Sequence, residues 1–277
     1  MSSDLKVNLP YFDEIFKEFE NGKTEMIGIF GHHVHWGYWE NSADSDGSIE
    51  DFAQAAEKLT QKVYSAGKIT DGMRVLDCGC GFGGTIASIN ERFNNMQLIG
   101  LNIDSRQLAR AREQVQPRGE NQIEFIEGNA CELPFEDNSF DVVLAVECIF
   151  HFPSRERFFQ EAWRVLKPGG KLALSDFSLI KMIAPITKTS SKFIKGLISG
   201  NYFGNIDTNF SLTNYRKLSK KIGFTTLIEE DITRNTLPTY PVIRQVINSG
   251  DKAIALAEWA TSLGILRYLI LSYTKEE

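Results

Sequence analysis

The chain has little cysteine, little proline and no long apolar run. Four cysteines among 277 residues are too few for a disulfide-stapled scaffold, so a reducing, cytoplasmic setting is expected. Eight prolines exclude extended proline-rich linkers and argue against long disordered tails. No stretch of about 18 uncharged apolar residues occurs, which excludes a membrane-spanning helix. Residues 1–19 carry Asp4, Asp13, Glu14 and Glu18 among their apolar side chains, and so lack the basic-then-apolar order of a signal peptide. Positive charge is also short: 30 Lys and Arg face 36 Asp and Glu, a formal charge of −6. Phosphate-backbone binding needs clustered Lys and Arg, so neither a nucleic-acid nor a membrane partner is expected. No internal repeat is visible.

What is present is an ordinary globular balance, 42% hydrophobic and 24% charged, on a chain long enough for a sizeable core. Ile15, Phe16 and Phe19 have helical spacing, and an irregular aromatic loop through Phe30, Trp36, Tyr38 and Trp39 follows. Residues 42–48 read as an exposed loop and 49–66 as a helix, through Phe52, Ala56, Leu59 and Val63. From Gly72 the texture alternates between strand and helix. Strands are predicted over 73–77, 97–103, 123–127, 140–146 and 171–176. Helices are predicted up to Phe93 and over 106–115 and 155–166, the last stopped by Lys167-Pro168-Gly169-Gly170. Such units specify an α/β fold, a parallel sheet covered on both faces. Residues 177–212 break the rhythm. Beyond them come a helix (215–222), a strand (225–232), a helix (251–263) and a strand (266–273). One domain over 1–277 is expected: a cap at 1–66, a cofactor-binding core at 67–176, a lid or substrate insertion at 177–214 and the rest of the sheet at 215–277.

The strongest local signal is Val75-Leu76-Asp77-Cys78-Gly79-Cys80-Gly81-Phe82-Gly83-Gly84, where the first strand meets the first helix. Glycines there let backbone approach a ligand closely, and a helix start offers free N–H groups. By itself the pattern fits a nucleotide-like cofactor of either the dinucleotide or another type, or a plain strand-to-helix turn. Further segments follow in order: Gly100-Leu101-Asn102-Ile103-Asp104, Gly128-Asn129-Ala130-Cys131, Phe140-Asp141-Val142-Val143, Glu147-Cys148-Ile149-Phe150-His151-Phe152 and Val165-Leu166-Lys167-Pro168-Gly169-Gly170.

Together these runs resemble the motifs of class I S-adenosylmethionine-dependent methyltransferases, strongly from Gly72 to Asp176 and weakly beyond. The resemblance implies a Rossmann-like sheet of order 3-2-1-4-5-7-6, with strand 7 antiparallel, and an N-terminal helical cap. It implies S-adenosyl-L-methionine as cofactor, with S-adenosyl-L-homocysteine as product and no metal. Asp77, Cys78, Gly79, Gly81, Asn102, Ile103, Gln107, Asn129, Ala130 and Glu147 would hold it. Asn102 and Asn129 stand where many members have an acid. An amide both donates and accepts, so the ribose and adenine roles survive the change. His151 is where the family often places the base that deprotonates the acceptor, and Asp176 would orient it. A structural His and a capping Asp are the alternatives.

His32-His33-Val34-His35-Trp36-Gly37-Tyr38-Trp39 invites a metal reading, but no carboxylate or Cys neighbours it in sequence. The run resembles a cap segment of small-molecule methyltransferases. His35, Trp36, Tyr38, Phe150, Phe177 and Tyr202 would then meet the acceptor, with Phe193, Phe203 and Phe210 as further lid aromatics. The "HVHWGYWEN", "LNID" and "FHF" runs look like cyanobacterial natural-product O-methyltransferases of the microcystin-tailoring type. That implies a hydroxyl on a polyketide- or peptide-derived acceptor, free or carrier-tethered. Nitrogen and carbon acceptors stay open, as do a nicotinamide-dependent oxidoreductase and a non-catalytic binding protein. The tight Gly79-x-Gly81-x-Gly83 spacing disfavours the oxidoreductase.

Overall fold

The structure is a computed structural model, and it describes residues 9–180, 204, 207, 210–247 and 251–276. Seven strands form one sheet: β1 (Arg74–Cys78), β2 (Gln97–Asn102), β3 (Gln122–Glu127), β4 (Phe140–Val146), β5 (Leu166–Leu179), β6 (Phe224–Asp231) and β7 (Leu266–Lys275). Their order is β3-β2-β1-β4-β5-β7-β6. β7 runs antiparallel to both β5 and β6, and the other pairs are parallel.

Alternation along each strand separates two cores. Leu76, Val143, Ala145, Leu172 and Leu174 face α6 (Arg155–Val165) and α7 (Leu212–Ile222). Val75, Leu98, Val142, Leu144 and Ala173 face α3 (Ile49–Ala66), α4 (Gly84–Arg92) and α5 (Ser105–Gln114). Ser48, Asp104, Ser154 and Ser211 cap α3, α5, α6 and α7 with side-chain oxygens, which explains why those helices start where they do. A third core joins α1 (Pro10–Glu20), α2 (Thr24–Phe30), α8 (Thr239–Ile243) and α9 (Asp251–Ser262) around Phe52, Phe82 and Tyr240.

Two expectations need correction, and a third lies mostly outside the described residues. Residues 24–30 are helical rather than loop, because Met26, Ile29 and Phe30 are buried against α3 and α1. The fifth strand is far longer than 171–176. Its ladder with β7 continues to Leu179 opposite Leu266, and at its start Leu166 pairs with Phe140 across an irregularity. The Lys167-Pro168-Gly169-Gly170 stop therefore lies inside the strand. Most of the predicted lid, with Phe193, Tyr202 and Phe203, lies outside the described residues. Among those that are described, no helix is long and apolar enough to cross a membrane.

Candidate active site

A cavity of about 340 Å³ opens at the carboxyl ends of β1, β2 and β4. Neighbouring strands β2 and β4 leave β1 in opposite directions along the sheet, which creates a crevice there. The glycine turn forms its floor. Gly79 has φ +73°, and a Cβ on it would meet Cys148 Cβ at 2.7 Å. Gly81 has φ +55°, and a Cβ on it would meet nothing within 4 Å. Both glycines line the cavity, but only at Gly81 does the missing side chain leave open space.

Asp77, Asn102, Ile103, Gln107, Asn129, Ala130 and Glu147 line the same cavity. The Asn102 amide nitrogen donates to Gln107 Oε1 at 2.9 Å, while its oxygen accepts from the Asp104 N–H at 3.2 Å. One amide hydrogen and one lone pair remain, enough for a diol. Asn129 Oδ1 accepts from the Cys131 N–H at 2.9 Å, so its oxygen is already half used by the turn. Cys78 does not line the cavity. It is fully buried, and its carbonyl accepts the Cys148 thiol at 2.9 Å.

Two buried carboxyls face the space. Burial pushes Asp77 up to about 8, against a hydrogen bond from Thr85. Burial likewise pushes Glu147 up to about 8, against hydrogen bonds from the Tyr268 hydroxyl and the Trp36 N–H, the latter 3.0 Å long. Glu147 has φ +47°, an uncommon conformation for a non-glycine residue. No Lys or Arg is among the lining residues. Such a wall suits a ligand carrying positive charge.

His151 ends a short 3₁₀ turn (Ile149–His151) just after β4, and lines the cavity. Tyr11 Oη lies 3.2 Å from its Nε2. Asp176, expected beside it, does not line the cavity. Asp176 Oδ2 accepts from Arg155 Nη2 at 2.9 Å and from the Tyr215 hydroxyl. Burial pushes Asp176 up to about 6, with Arg155 and Tyr215 pulling the other way. Arg155 starts α6 and Tyr215 belongs to α7, so the carboxylate turns into the helical layer.

The expected acceptor contacts divide. His35 lines the cavity, buried in a network in which its Nε2 lies 2.9 Å from Thr60 Oγ1 and 3.2 Å from His33 Nδ1. His33 Nε2 in turn meets Glu57 Oε2 at 3.0 Å. Trp36, Phe150 and Phe177 are not lining residues. Trp36 and Phe150 each pack on Phe177, at 5.4 and 5.7 Å between ring centroids. Tyr38 is also absent from the lining, and Lys62 sits over its ring at 4.9 Å. Tyr202 lies outside the described residues. Among those described, no group of three or more His, Cys, Asp or Glu is arranged to hold a metal.

Sequence reasoning missed Tyr11, Phe12, His33, Thr85 and Phe152 of the lining. The only signal for Tyr11 was its place in an amphipathic helix, which reports burial and not destination.

The methyltransferase-domain family profile matches residues 76–174. The methyltransferase GfsG of Streptomyces halstedii is 30% identical over 83% of this chain and 79% of its own length. This chain belongs to the class I S-adenosylmethionine-dependent methyltransferases. The 27-O-demethylrifamycin SV methyltransferase of Amycolatopsis mediterranei is 29% identical over 83% of this chain and 80% of its own. Among solved structures, the mycolic acid cyclopropane synthase CmaA1 superposes with a TM-score of 0.77 at 16% identity, over 97% of each chain. At that identity the likeness is one of fold, and the methyltransferase sheet order is the one observed here.

Proposed function

We propose that this methyltransferase transfers the methyl group of S-adenosyl-L-methionine to a hydroxyl of a small natural product, polyketide- or peptide-derived, free or carrier-tethered. The observation that carries the reading is that His151 opens onto the same cavity as the glycine turn and the Asn102–Gln107 pair. A base and a cofactor cradle thus share one space. The name of the rifamycin relative, a methyltransferase of 27-O-demethylrifamycin SV, supports the same class. An acceptor hydroxyl on a microcystin-type side chain is one member of that class.

The cofactor supplies a methyl on a sulfonium, whose departure leaves a neutral thioether. Asp77 and Glu147 give its positive charge a matching wall. Gly81 and Ala130 let it approach backbone and a small side chain, Gly79 and Ile103 line the space beside it, and Asn102, Gln107 and Asn129 offer its ribose and base polar partners. His151 takes the hydroxyl proton as the new O–CH₃ bond forms and the S–CH₃ bond breaks. A positioned base contributes roughly 10²–10⁴-fold.

The test is single-turnover transfer of labelled methyl to a panel of hydroxyl-, amine- and carbon-acceptor natural products, with wild type and His151→Ala. Hydroxyl methylation that falls roughly 10²–10⁴-fold in the variant, with S-adenosylhomocysteine affinity unchanged, is expected. A variant rate within a few-fold of wild type removes His151 as base and returns the nitrogen and carbon alternatives.

A further inference from the structure

The Tyr11–His151 contact joins two parts of the chain 140 residues apart. Tyr11 lies in the first turn of α1 and lines the cavity together with His151. The two rings lie nearly parallel, at 17° and 5.9 Å between centroids. The Phe150 ring packs against the same imidazole at 4.4 Å.

The helix that delivers this hydroxyl is registered on the glycine turn. Phe12, Phe16 and Phe19 converge on Phe82, at 5.8, 5.6 and 5.8 Å between centroids. Phe82 sits in the middle of the turn and is buried. Arg106, in the first turn of α5, adds a bond to Asp13 at 2.7 Å and lies over the Phe16 ring at 5.1 Å. The glycine turn and α5 thus both pack on the helix that carries Tyr11.

A phenol keeps its proton near neutral pH, since its pKa is about 10, so its O–H can donate to an unprotonated imidazole nitrogen just as its oxygen can accept from a protonated one. Neutral imidazole accepts at Nε2 only when its proton is on Nδ1. A base for an acceptor hydroxyl needs that same Nε2 lone pair.

We propose that Tyr11 is a positioning residue that holds His151 in the tautomer with Nε2 unprotonated and presents that nitrogen to the acceptor. The inference rests on the hydroxyl-transfer reading above. When the acceptor arrives, its O–H replaces the phenol O–H as donor to Nε2. The acceptor proton passes to Nε2 as the O–CH₃ bond forms, and Tyr11 keeps its own proton throughout.

The experiment uses the full chain labelled with ¹⁵N-histidine, without acceptor, at about pH 8, above the unperturbed His pKa of about 6.5. Multiple-bond ¹H–¹⁵N spectra, assigned with His151→Gln, report the His151 tautomer. Wild type should show the Nδ1–H form. Tyr11→Phe keeps the ring packing, and should shift His151 toward the Nε2–H form. The same variant should lose roughly tenfold in kcat, part of what a positioned base supplies. Its KM for the acceptor should stay within a few-fold and its S-adenosylhomocysteine affinity should not change. An Nε2–H tautomer in wild type overturns the proposal, as does a Tyr11→Phe variant with unchanged tautomer and kcat. A wild type that methylates only nitrogen or carbon overturns the hydroxyl reading instead, and the spectra alone then uphold or overturn the role of Tyr11.

Discussion

Arg155 donates to Asp176 across 2.9 Å, and both side chains are buried. The same guanidinium reaches Asp207, donating to its carbonyl at 2.6 Å and its carboxylate at 3.0 Å, while the Asp207 N–H donates to the Phe150 carbonyl at 2.9 Å. Asp176 thus anchors a chain of contacts that ends on the loop carrying His151.

That arrangement predicts that Asp176 contributes chiefly to stability. Asp176→Asn leaves the buried Arg155 with the half-exposed Asp207 as its remaining charge partner, and should cost about 1–3 kcal/mol. Urea unfolding measures the cost. Turnover of the folded fraction should stay within a few-fold of wild type, in contrast to His151→Ala. Turnover lost without any change in unfolding would return Asp176 to the side of His151.

The two glycines of the turn should fail differently. Both need a left-handed backbone, which costs another residue about 1–2 kcal/mol. Gly79→Ala adds a clash with Cys148, so its main effect should be a lowered Tm. Gly81→Ala places its methyl in open space beside the cavity, so its loss of Tm should be smaller and its loss of S-adenosylhomocysteine affinity larger. Thermal melts and calorimetric titration of both variants check this, and a reversed ranking refutes it.

Acid should loosen the cap through His35. Burial, with neighbouring His33, lowers its pKa from 6.5 to about 3. Between those values the unfolded chain takes up a proton that the folded chain refuses. Stability from this group is therefore complete above about pH 6.5 and falls by about 1.4 kcal/mol per pH unit below it. Glu57 adds a loss only below its ordinary 4.5. Burial alone would raise it, but hydrogen bonds from His33, Ser88 and Gln61 outweigh that and hold it at about 2. His35→Asn should flatten the slope of unfolding free energy between pH 6.5 and 5. An unchanged slope would place the acid sensitivity elsewhere.

Cofactor binding should release protons. Asp77 and Glu147, each raised to about 8, are mostly protonated at pH 7 in the ligand-free protein. Their folded form holds protons that the unfolded chain gives up, so ligand-free stability falls as pH rises from about 4 to 8. A cationic ligand favours the ionised carboxyls. Affinity for S-adenosylmethionine should therefore rise from pH 6 to 9 more steeply than affinity for the uncharged-sulfur product. Calorimetry in buffers of different ionisation enthalpy counts the protons, and equal counts for the two ligands would contradict the electrostatic match.

The sequence by itself determined the sheet and its glycine turn. The β4 run Phe140–Val146 is apolar but for Asp141 because both its faces are covered, and Asp77, Gly79 and Gly81 sit where a strand must become a helix. These features are local, so their residue types and periods report them directly. The sheet order came from resemblance to a family, because spacing says nothing about which strands pair. Tertiary structure alone decided the rest. It extended β5 along β7, made residues 24–30 helical by burying Met26, Ile29 and Phe30, and packed Trp36 and Phe150 on Phe177 rather than into the cavity's lining. It also gave Asp176 to Arg155 and brought Tyr11 to His151. Periodicity tells which face of an element is buried. Which distant side chain a buried polar atom meets depends on how whole elements pack, and Asp176 and His151 found their partners 21 and 140 residues away.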